Sequence, residues 1–470
     1  MSQSSPVVPL GPGGMDRARL GLIAVVAGCL GAALVLPQAP RCRAALGLVA
    51  FLGLAAACSR QFRAIQWRPI VGGLLLQVLL ALLILRVPAV YNFFVAVSAS
   101  IRKFIDFSDA GAAFVFGPLV QAEQLEKGLG LQPGGGFIFV VKALPAVIFV
   151  SSFFTVLYHL GLLQAVVRGF AWVMVRLMGT SGAESLSATA NVFMGQTEAP
   201  LIVRPYIAAM TRSELLALMI GGMATIAGGV MVAYIAMLDK IGMGHQAYAL
   251  LATSVMAAPC GLYLAKILVP ETEEPLTRGQ VRANVEQTHV NVIDAAAEGA
   301  SQGMKLVLNI TAMLIAFIAF VTLINHLLAR IDEWLGLQQA LGWSAPLSLE
   351  RILAWVFYPV ALLMGVPAVD AAAAGELLGT KLVLNEFVAY VLLAEKYQGQ
   401  LQPRTVALLA FALTSFANFA SIGIQLGGIG SMAPTRRGDL ARLGWLALLG
   451  GFLATLINTA WAALLLPADD

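Results

Sequence analysis

Long apolar runs alternate with short polar breaks along nearly the whole chain. The runs lie near 19–36, 44–58, 70–86, 137–159, 214–238, 246–269, 303–328, 352–365, 405–430 and 442–466. A helix of roughly 20 apolar residues spans the hydrocarbon core of a bilayer. The pattern therefore predicts an all-α integral membrane protein with many spans.

Some segments do not fit an ordinary span. Residues 1–18 are rich in Pro, Gly and Ser and predict a disordered tail. The run at 19–36 is interpreted as a span, because no small-residue cleavage site of a signal peptide follows it. Residues 89–117 mix apolar side chains with four charges and predict an interfacial helix that lies flat. The polar, mixed-charge stretch 270–300 predicts a hydrophilic loop.

Positive charge sets the expected orientation, since cytoplasmic loops are enriched in Lys and Arg. Residues 60–68 and 432–442 carry three arginines each. If both stretches and the polar loop are cytoplasmic, the number of spans between them is consistent only when two segments enter the membrane and return to the same side. These are 180–204 and 366–397. The N-terminus is then expected in the cytoplasm and the C-terminus outside.

Composition excludes several classes of protein. Apolar residues make up 59% of the 470 residues and charged residues 11%, with a mean hydropathy of +0.84. A soluble globule needs more wettable surface than this. The net charge of +4 is too small to indicate nucleic-acid binding. A water-soluble enzyme, a disordered protein and a nucleic-acid binder are therefore excluded.

The two re-entrant segments each contain a carboxylate. Glu198 lies in NVFMGQTEAPLIVRPY and Glu386 in GTKLVLNEFVAY. Each segment precedes a Gly- and hydroxyl-rich stretch, 221–231 and 414–428, that predicts a broken helix. An ionisable group within a bilayer is a functional candidate. Paired interrupted segments in two halves of a chain indicate a transporter site at the bilayer midplane.

Structural interpretations of these features stay open at this point. Gly-rich stretches in membranes often serve close helix packing. A buried Glu can pair with a nearby cation, for which Lys381 and Arg204 are candidates. Lys142, in the run at 137–159, is a third intramembrane charge, either paired with an acid or facing a cavity.

At these positions the chain resembles the concentrative nucleoside transporter family. GQTEAPLIVRPY and GTKLVLNEFVAY are similar to the family's two hairpins, and GGMATIAGGV and SFANFASIGI to its two broken helices. The resemblance runs from about residue 44 to the C-terminus. It implies a homotrimer whose protomers have a scaffold domain and a mobile transport domain, related by an inverted repeat and working as an elevator. Bacterial relatives have eight spans, so the run at 19–36 is an extra N-terminal span.

With this resemblance, the expected domains follow the chain. They are 1–18, the tail; 19–36, the extra span; 37–159 with 303–330, the scaffold spans and interfacial helix; 160–269, the first half of the transport domain; 270–302, the cytoplasmic loop and an interfacial helix; and 331–470, the second half. The expected location is a bacterial cytoplasmic membrane.

The resemblance also implies the site. Residues expected to contact the nucleobase are Gln196, Thr197, Glu198, Val230 and Phe416. Residues expected to hold the ribose hydroxyls are Glu386, Asn418 and Ser421. The co-transported sodium ion is expected at Asn191, Met194, Thr197, Thr225 and Ile226. Backbone carbonyls, hydroxyls and amide oxygens are suitable ligands for such a hard cation.

The prediction is a symporter that imports nucleosides with sodium, pyrimidine nucleosides such as uridine first and purines as well. A proton-coupled symporter is the alternative. A membrane-embedded hydrolase is disfavoured, because none of the four histidines lies in the interrupted segments and no HExxH is present. A passive channel would not need two acids in an amide-rich pocket. The expected partners are the nucleoside, the lipid bilayer and two further copies of the chain.

Overall fold

The computed structural model describes residues 17–36, 39–129, 138–142, 144–279, 290–340, 342–343 and 345–467. These residues form α-helices joined by short connections, with no β-strand among them. In chain order the helices are α1 (Arg17–Val35), α2 (Pro40–Ala57), α3 (Trp67–Arg86), α4 (Pro88–Phe116), α5 (Ala122–Leu129), α6 (Phe139–Lys142), α7 (Leu144–His159), α8 (Leu162–Met178), α9 (Gly182–Ala190), α10 (Ala199–Ile202), α11 (Arg204–Ile207), α12 (Arg212–Ala224), α13 (Gly228–Lys240), α14 (Tyr248–Leu268), α15 (Val292–Leu335), α16 (Leu337–Ala340), α17 (Leu349–Leu363), α18 (Ala371–Val383), α19 (Glu386–Glu395), α20 (Pro403–Leu413), α21 (Phe419–Met432) and α22 (Arg437–Leu465). Short 3-10 helices lie at Phe62–Ala64, Gly117–Val120, Gly244–Ala247 and Pro434–Arg436.

Seven helical segments in the described part of the chain are long and apolar enough to cross a membrane. They are Arg17–Val35, Pro40–Ala57, Trp67–Arg86, Arg212–Asp239, Gly244–Leu268, Val292–Leu335 and Pro434–Leu465. An eighth span results if the bent pair α7 and α8 counts as one. The predicted all-α, multi-span architecture is therefore confirmed.

Both predicted hairpins are present as pairs of short helices with a non-helical tip. In the first, a capping box of Ser181 and Glu184 starts α9. The helix ends at Asn191, and Pro200 stands in the first turn of α10 beyond the tip. In the second, α18 ends at Leu384 and Asn385 caps α19 by accepting a hydrogen bond from Val388 N. Polar side chains thus replace missing helix bonds at the base of the first hairpin and at the tip of the second.

Each hairpin is followed by a helix broken in the middle. The backbone is non-helical between α12 and α13 and again between α20 and α21. Thr225 Oγ1 donates to Gly221 O at 2.9 Å just past the end of α12, and Thr414 Oγ1 donates to Ala410 O at 2.5 Å just past the end of α20. The two breaks therefore end their first half-helices in the same way.

Two features differ from the sequence-based expectations, and a third, the helix expected at 89–117, is present. Helix α8 was not predicted; it follows α7 at an angle of 73°. Helix α15 is a single helix of 44 residues, so the expected boundary at 302/303 falls inside it. Residues 89–117 do form one helix, α4, which is not among the span-type helices. The side chain of Lys142 lies outside the described residues, as do residues 1–16 of the expected tail and 280–289 of the polar loop.

The packing divides the helices differently from the expected domains. Helix α7 packs mainly against α15, whereas α2 packs against α1 and α22 and α3 against α14. Buried polar contacts reinforce the second group. Gln77 Nε2 donates to Asn458 Oδ1 at 2.6 Å, and the Tyr263 hydroxyl donates to Gln77 Oε1 at 2.8 Å. The spans at 44–58 and 70–86 therefore lie with the helices that follow the hairpins, and not with α7 and α15.

A buried ionic cluster stands at the base of the first hairpin. Lys266 Nζ lies 2.7 Å from Glu184 Oε2 and 3.2 Å from Glu271 Oε2. Glu214 accepts a 2.5 Å hydrogen bond from Ser181 Oγ. The lysine and these glutamates join α9, α12 and α14, since a buried charge is tolerated only when it is paired.

Candidate functional site

A chain of hydrogen bonds joins the tip of the first hairpin to α21. Gln196 Nε2 donates to Ser421 Oγ at 3.2 Å, and Gln196 Oε1 accepts from Gln425 Nε2 at 3.1 Å. Gln425 Nε2 also donates to Met219 O at 2.9 Å. The close approach of Gln196 and Gln425 to α12 requires glycine at position 222, because a Cβ there would stand 2.8 Å from the Gln196 Cβ atom and 2.9 Å from Gln425 Nε2.

Glu386 is the centre of the second hairpin's contacts. Its Oε1 accepts from the Tyr234 hydroxyl at 2.9 Å, and its Oε2 accepts from Asn418 Nδ2 at 2.8 Å. Asn418 Oδ1 in turn accepts from Ser421 N at 2.9 Å and caps α21. The predicted ribose residues Glu386, Asn418 and Ser421 therefore lie together, on the N-terminal ends of two helices.

Aromatic rings form a wall beside this carboxylate. The rings of Tyr234 and Tyr390 are stacked with centroids 4.5 Å apart, and Phe387 meets Tyr234 edge-on at 4.8 Å. Val230 is buried and stands one helical turn before Tyr234 on the same face of α13. Such a wall accepts flat, apolar groups next to a charged acceptor.

Glu198 faces a different space. Its Oε2 accepts from Gly195 N at 3.2 Å across the hairpin tip. It lines a cavity of about 840 Å³ between the first hairpin, α7 and α15, together with Arg204 and Glu298. Glu386, Asn418 and Ser421 do not line this cavity. Glu198 therefore lines this cavity, while Gln196, two residues before it, bonds Ser421 beside the Glu386 cluster.

The remaining nucleobase candidates lie at the junction. Phe416 N donates to Thr225 O at 3.1 Å, which ties the second break to the first. Thr197 packs over α21 at Gly428, where a Cβ would stand 2.7 Å from the threonine methyl carbon. Both residues therefore lie where the first hairpin and the two broken helices meet.

Three of the five expected sodium ligands, Asn191, Thr225 and Ile226, lie at the end of α12. Asn191 Nδ2 donates to Ser187 O at 3.0 Å and lies against Gly221, while Asn191 Oδ1 is buried without a hydrogen-bond donor. Thr225 Oγ1 uses its proton on Gly221 O, so its lone pairs stay available. Ile226 is buried beside Thr225, and Met194 lies at the hairpin tip after α9. A buried oxygen that lacks a donor is suited to a cation.

Neither acid is part of a simple ion pair. In the part of the chain that the structure describes, no lysine or arginine nitrogen lies within 4.0 Å of Glu198 or Glu386. Lys381 donates instead to Ala412 O at 2.7 Å. Pairing of these glutamates with Lys381 or Arg204, the alternative left open by the sequence, is therefore not observed.

Sequence reasoning missed two residues of this cluster, Tyr234 and Gln425. Gln425 was detectable, since it is an amide in the Gly-rich stretch 414–428. Tyr234 gave no signal, because an aromatic residue in an apolar helix usually serves packing.

Comparisons with known proteins place the chain in a family. The family model described as "Na+ dependent nucleoside transporter N-terminus" matches residues 46–119, and its C-terminal counterpart matches 249–463. A third, described as "Nucleoside recognition", matches 140–241 and covers the first hairpin. The chain belongs to the concentrative nucleoside transporter family. It is a multi-pass membrane transporter of nucleosides and not an enzyme, and sodium is the co-transported ion that the family implies.

Similar proteins span bacteria and mammals. An "Uncharacterized transporter" of Haemophilus influenzae is 43% identical over 424 residues, covering 89% of this chain and 96% of that protein. Human "Sodium/nucleoside cotransporter 1" is 40% identical over 434 residues, covering 89% of this chain and 63% of that protein.

Solved structures of the transporter CNTnw are also similar. In an inward-facing substrate-bound state CNTnw matches with a TM-score of 0.81 and 40% identity, over 90% of this chain and 97% of that one. A CNTnw variant in an outward-facing state matches with a TM-score of 0.81 and 39% identity, over the same shares. A family member observed in both states fits alternating access.

Proposed function

We propose that this transporter is a sodium-coupled symporter that imports nucleosides, with pyrimidine nucleosides such as uridine preferred. The proposal rests on two features, an acceptor cluster for the nucleoside and an oxygen without a donor for the cation. Glu386 and Asn418 form a buried acceptor cluster beside an aromatic wall. Asn191, whose Oδ1 has no donor, lies against Gly221 in the last turn of α12, and Thr225 just past that turn accepts from Phe416 N.

Glu386 is the proposed ribose acceptor, with Asn418 and Ser421 beside it. Vicinal hydroxyls donate two hydrogen bonds to one carboxylate, and such charge-assisted bonds are stronger than neutral ones. Tyr234 and Asn418 orient the carboxylate by donating to its two oxygens. A site with a committed acceptor rejects analogues without hydroxyls, because its own groups would stay unpaired.

The base is proposed to lie against Val230 and Phe416, with Gln196, Thr197 and Glu198 at its polar edge. Because Gln196 Oε1 already accepts from Gln425, the Gln196 amide has its NH₂ group left to donate to the nucleobase. Uridine and cytidine present the carbonyl acceptor O2 on a single six-membered ring, whereas adenosine accepts only through ring nitrogens of a larger base. This supports a preference for pyrimidines, measured as the ratio of uridine, cytidine and adenosine uptake.

The sodium site is proposed at Asn191, Met194, Thr197, Thr225 and Ile226. Thr197 belongs to both sites, and the Thr225 carbonyl accepts from Phe416 N. Ordering the hairpin tip around sodium therefore fixes residues that contact the nucleoside. By linkage, each ligand raises the affinity for the other by the same factor.

The assembly and topology are part of the same proposal. We propose a homotrimer in a bacterial cytoplasmic membrane, with the N-terminus in the cytoplasm and no nucleic-acid partner. Helix α15 presents exposed apolar side chains, among them Leu308, Ile315 and Phe320, which suit lipid and subunit contacts. The moving domain is proposed to carry both hairpins and broken helices, while α7 and α15 belong to the scaffold.

Uptake of radiolabelled uridine into proteoliposomes tests the proposal, with sodium and proton gradients imposed separately. Accumulation driven by inward sodium alone is expected. Accumulation driven only by protons would replace sodium with proton coupling, and equilibration without accumulation would indicate a channel. Asn418→Ala is expected to abolish uptake at normal membrane expression; normal uptake by this variant would remove the ribose assignment.

A further inference from the structure

We propose that the ammonium group of Lys381 is a resident cation, occupying in the second half of the repeat the position that sodium takes in the first. The transporter then carries one exchangeable cation per nucleoside and not two. This inference rests on the proposed sodium coupling.

The two half-helices α12 and α20 end alike. The last turn of a helix leaves carbonyl groups without intrahelical donors and forms the negative pole of its dipole. At both ends a threonine just beyond the helix donates to the carbonyl four residues earlier, Thr225 to Gly221 and Thr414 to Ala410. Both ends are buried, so the remaining carbonyls need a positive partner.

The partner comes from the corresponding hairpin in each half. At α12, Asn191 follows the first arm of hairpin 1 and presents a buried oxygen without a donor. At α20, Lys381 lies in the last turn of α18, the first arm of hairpin 2, and its Nζ donates to Ala412 O at 2.7 Å. One end thus presents oxygen atoms for a cation, and the other end already holds one.

The setting of Lys381 is not that of an ordinary buried ion pair. Its side chain is fully buried, yet no carboxylate oxygen among the described residues lies within 4.0 Å of Nζ. Lys266 shows the contrast, with two carboxylates at 2.7 and 3.2 Å. Around Lys381 the partners are the end of α20 and, at 5.9 Å, the ring of Phe452. A cation held by helix carbonyls and a ring face resembles a bound ion more than a salt bridge.

The position also explains how the charge serves the nucleoside site. The Tyr390 hydroxyl lies within hydrogen-bond distance of Ala410 O and of Thr414 Oγ1, and its ring stacks on Tyr234, which orients Glu386. A fixed cation at the end of α20 therefore keeps the Glu386 side of the pocket organised in every state. Only the Asn191 side requires an ion from solution.

Ion-binding stoichiometry tests this inference. In detergent with saturating uridine, the wild-type protein is expected to bind about one ²²Na⁺ per protomer, with a log–log slope of uridine affinity against sodium of about one. Lys381→Asn, which supplies an oxygen as Asn191 does, is expected to bind about two and to raise the slope to about two. Lys381→Gln is a second neutral variant with the same expectation, and Lys381→Arg is the control that keeps one.

Several results would overturn the inference. One is two sodium ions per uridine in the wild-type protein. Another is a folded, uridine-binding neutral variant that still binds a single ion. If neither neutral variant folds, the test rests on Lys381→Arg, which keeps the cation. Binding of two sodium ions by Lys381→Arg also overturns the inference, whereas binding of one sodium ion by both Lys381→Arg and the wild-type protein supports it. Uridine binding independent of sodium in the wild-type protein would instead refute the proposed sodium coupling, so the two failures are distinguishable.

Discussion

The substitution Glu386→Gln isolates the charge of the proposed ribose acceptor. Its amide oxygen can keep the hydrogen bond from Asn418 Nδ2, and its NH₂ can donate to the Tyr234 hydroxyl, which can also accept. The two protein contacts at 2.8 and 2.9 Å are then preserved in altered form. The pocket is expected to stay folded, and the loss falls on the ribose hydroxyls.

The expected loss follows from the two hydrogen bonds that a diol donates to a carboxylate. A hydrogen bond to a charged group contributes about 1.5–3 kcal/mol and a neutral one about 0.5–1.5 kcal/mol. Glutamine keeps one neutral acceptor oxygen and replaces the other with an NH₂ donor, so one ribose bond is weakened and the other is lost. The cost is about 2.5–4.5 kcal/mol, which weakens uridine binding by roughly 70- to 2,000-fold.

Calorimetric titration of uridine into the detergent-solubilised protein at saturating sodium measures this loss. Glu376→Gln is the matched control: Glu376 lies in the same hairpin but bonds Lys396 and Tyr397, so uridine affinity is expected to stay unchanged. A loss below about fivefold for Glu386→Gln, with the control unaffected, would show that the carboxylate does not hold the ribose.

Three further substitutions test the cation sites and the ionic cluster. Thr225→Val removes one proposed sodium oxygen, so the sodium concentration for half-maximal uridine uptake is expected to rise about tenfold, the equivalent of one hydrogen-bond-sized contact; an unchanged sodium curve would count against this ligand. Asn191→Leu keeps the branched shape of the side chain but removes the donor-free oxygen, so sodium is expected to stop raising the thermal unfolding temperature; a wild-type shift would contradict the site. Lys266→Met leaves Glu184 and Glu271 buried without their cation, and a loss of about 3–5 kcal/mol in stability is expected in thermal unfolding. Lys305→Met, on the exposed side of α15, should unfold like the wild-type protein, and equal unfolding of both variants would refute the role of the cluster.

The local breaks of the chain were predictable from sequence, whereas the contacts across it were not. Gly195 and Pro200 around Glu198 interrupt an apolar run, and such residues remove helical hydrogen bonds wherever they occur. The pairing of Tyr234 with Glu386 joins residues 152 positions apart, and nothing in either local pattern specifies the other.

The missed helices have a physical explanation as well. Helix α8 contains Arg168 and Arg176 in 17 residues, so it offers no apolar run of spanning length. Its bend from α7 depends on Gly161, whose φ of +79° only glycine adopts readily. At the start of α15, Glu298 and Gln302 suggested a loop, because polar residues of a helix cannot be told from polar loop residues in the sequence.

The ionic cluster around Lys266 has a consequence for how the protein is made. Glu184 and Glu214 leave the ribosome well before Lys266 does. A buried carboxylate without its cation is strongly unfavourable, so the first hairpin gains a stable buried position only after α14 has been synthesised. A nascent chain stopped before Lys266 should therefore keep the hairpin at the membrane surface, where a cysteine introduced into the hairpin would still react with a reagent that cannot enter the bilayer. Stable burial of the first hairpin thus depends on a lysine that is synthesised later.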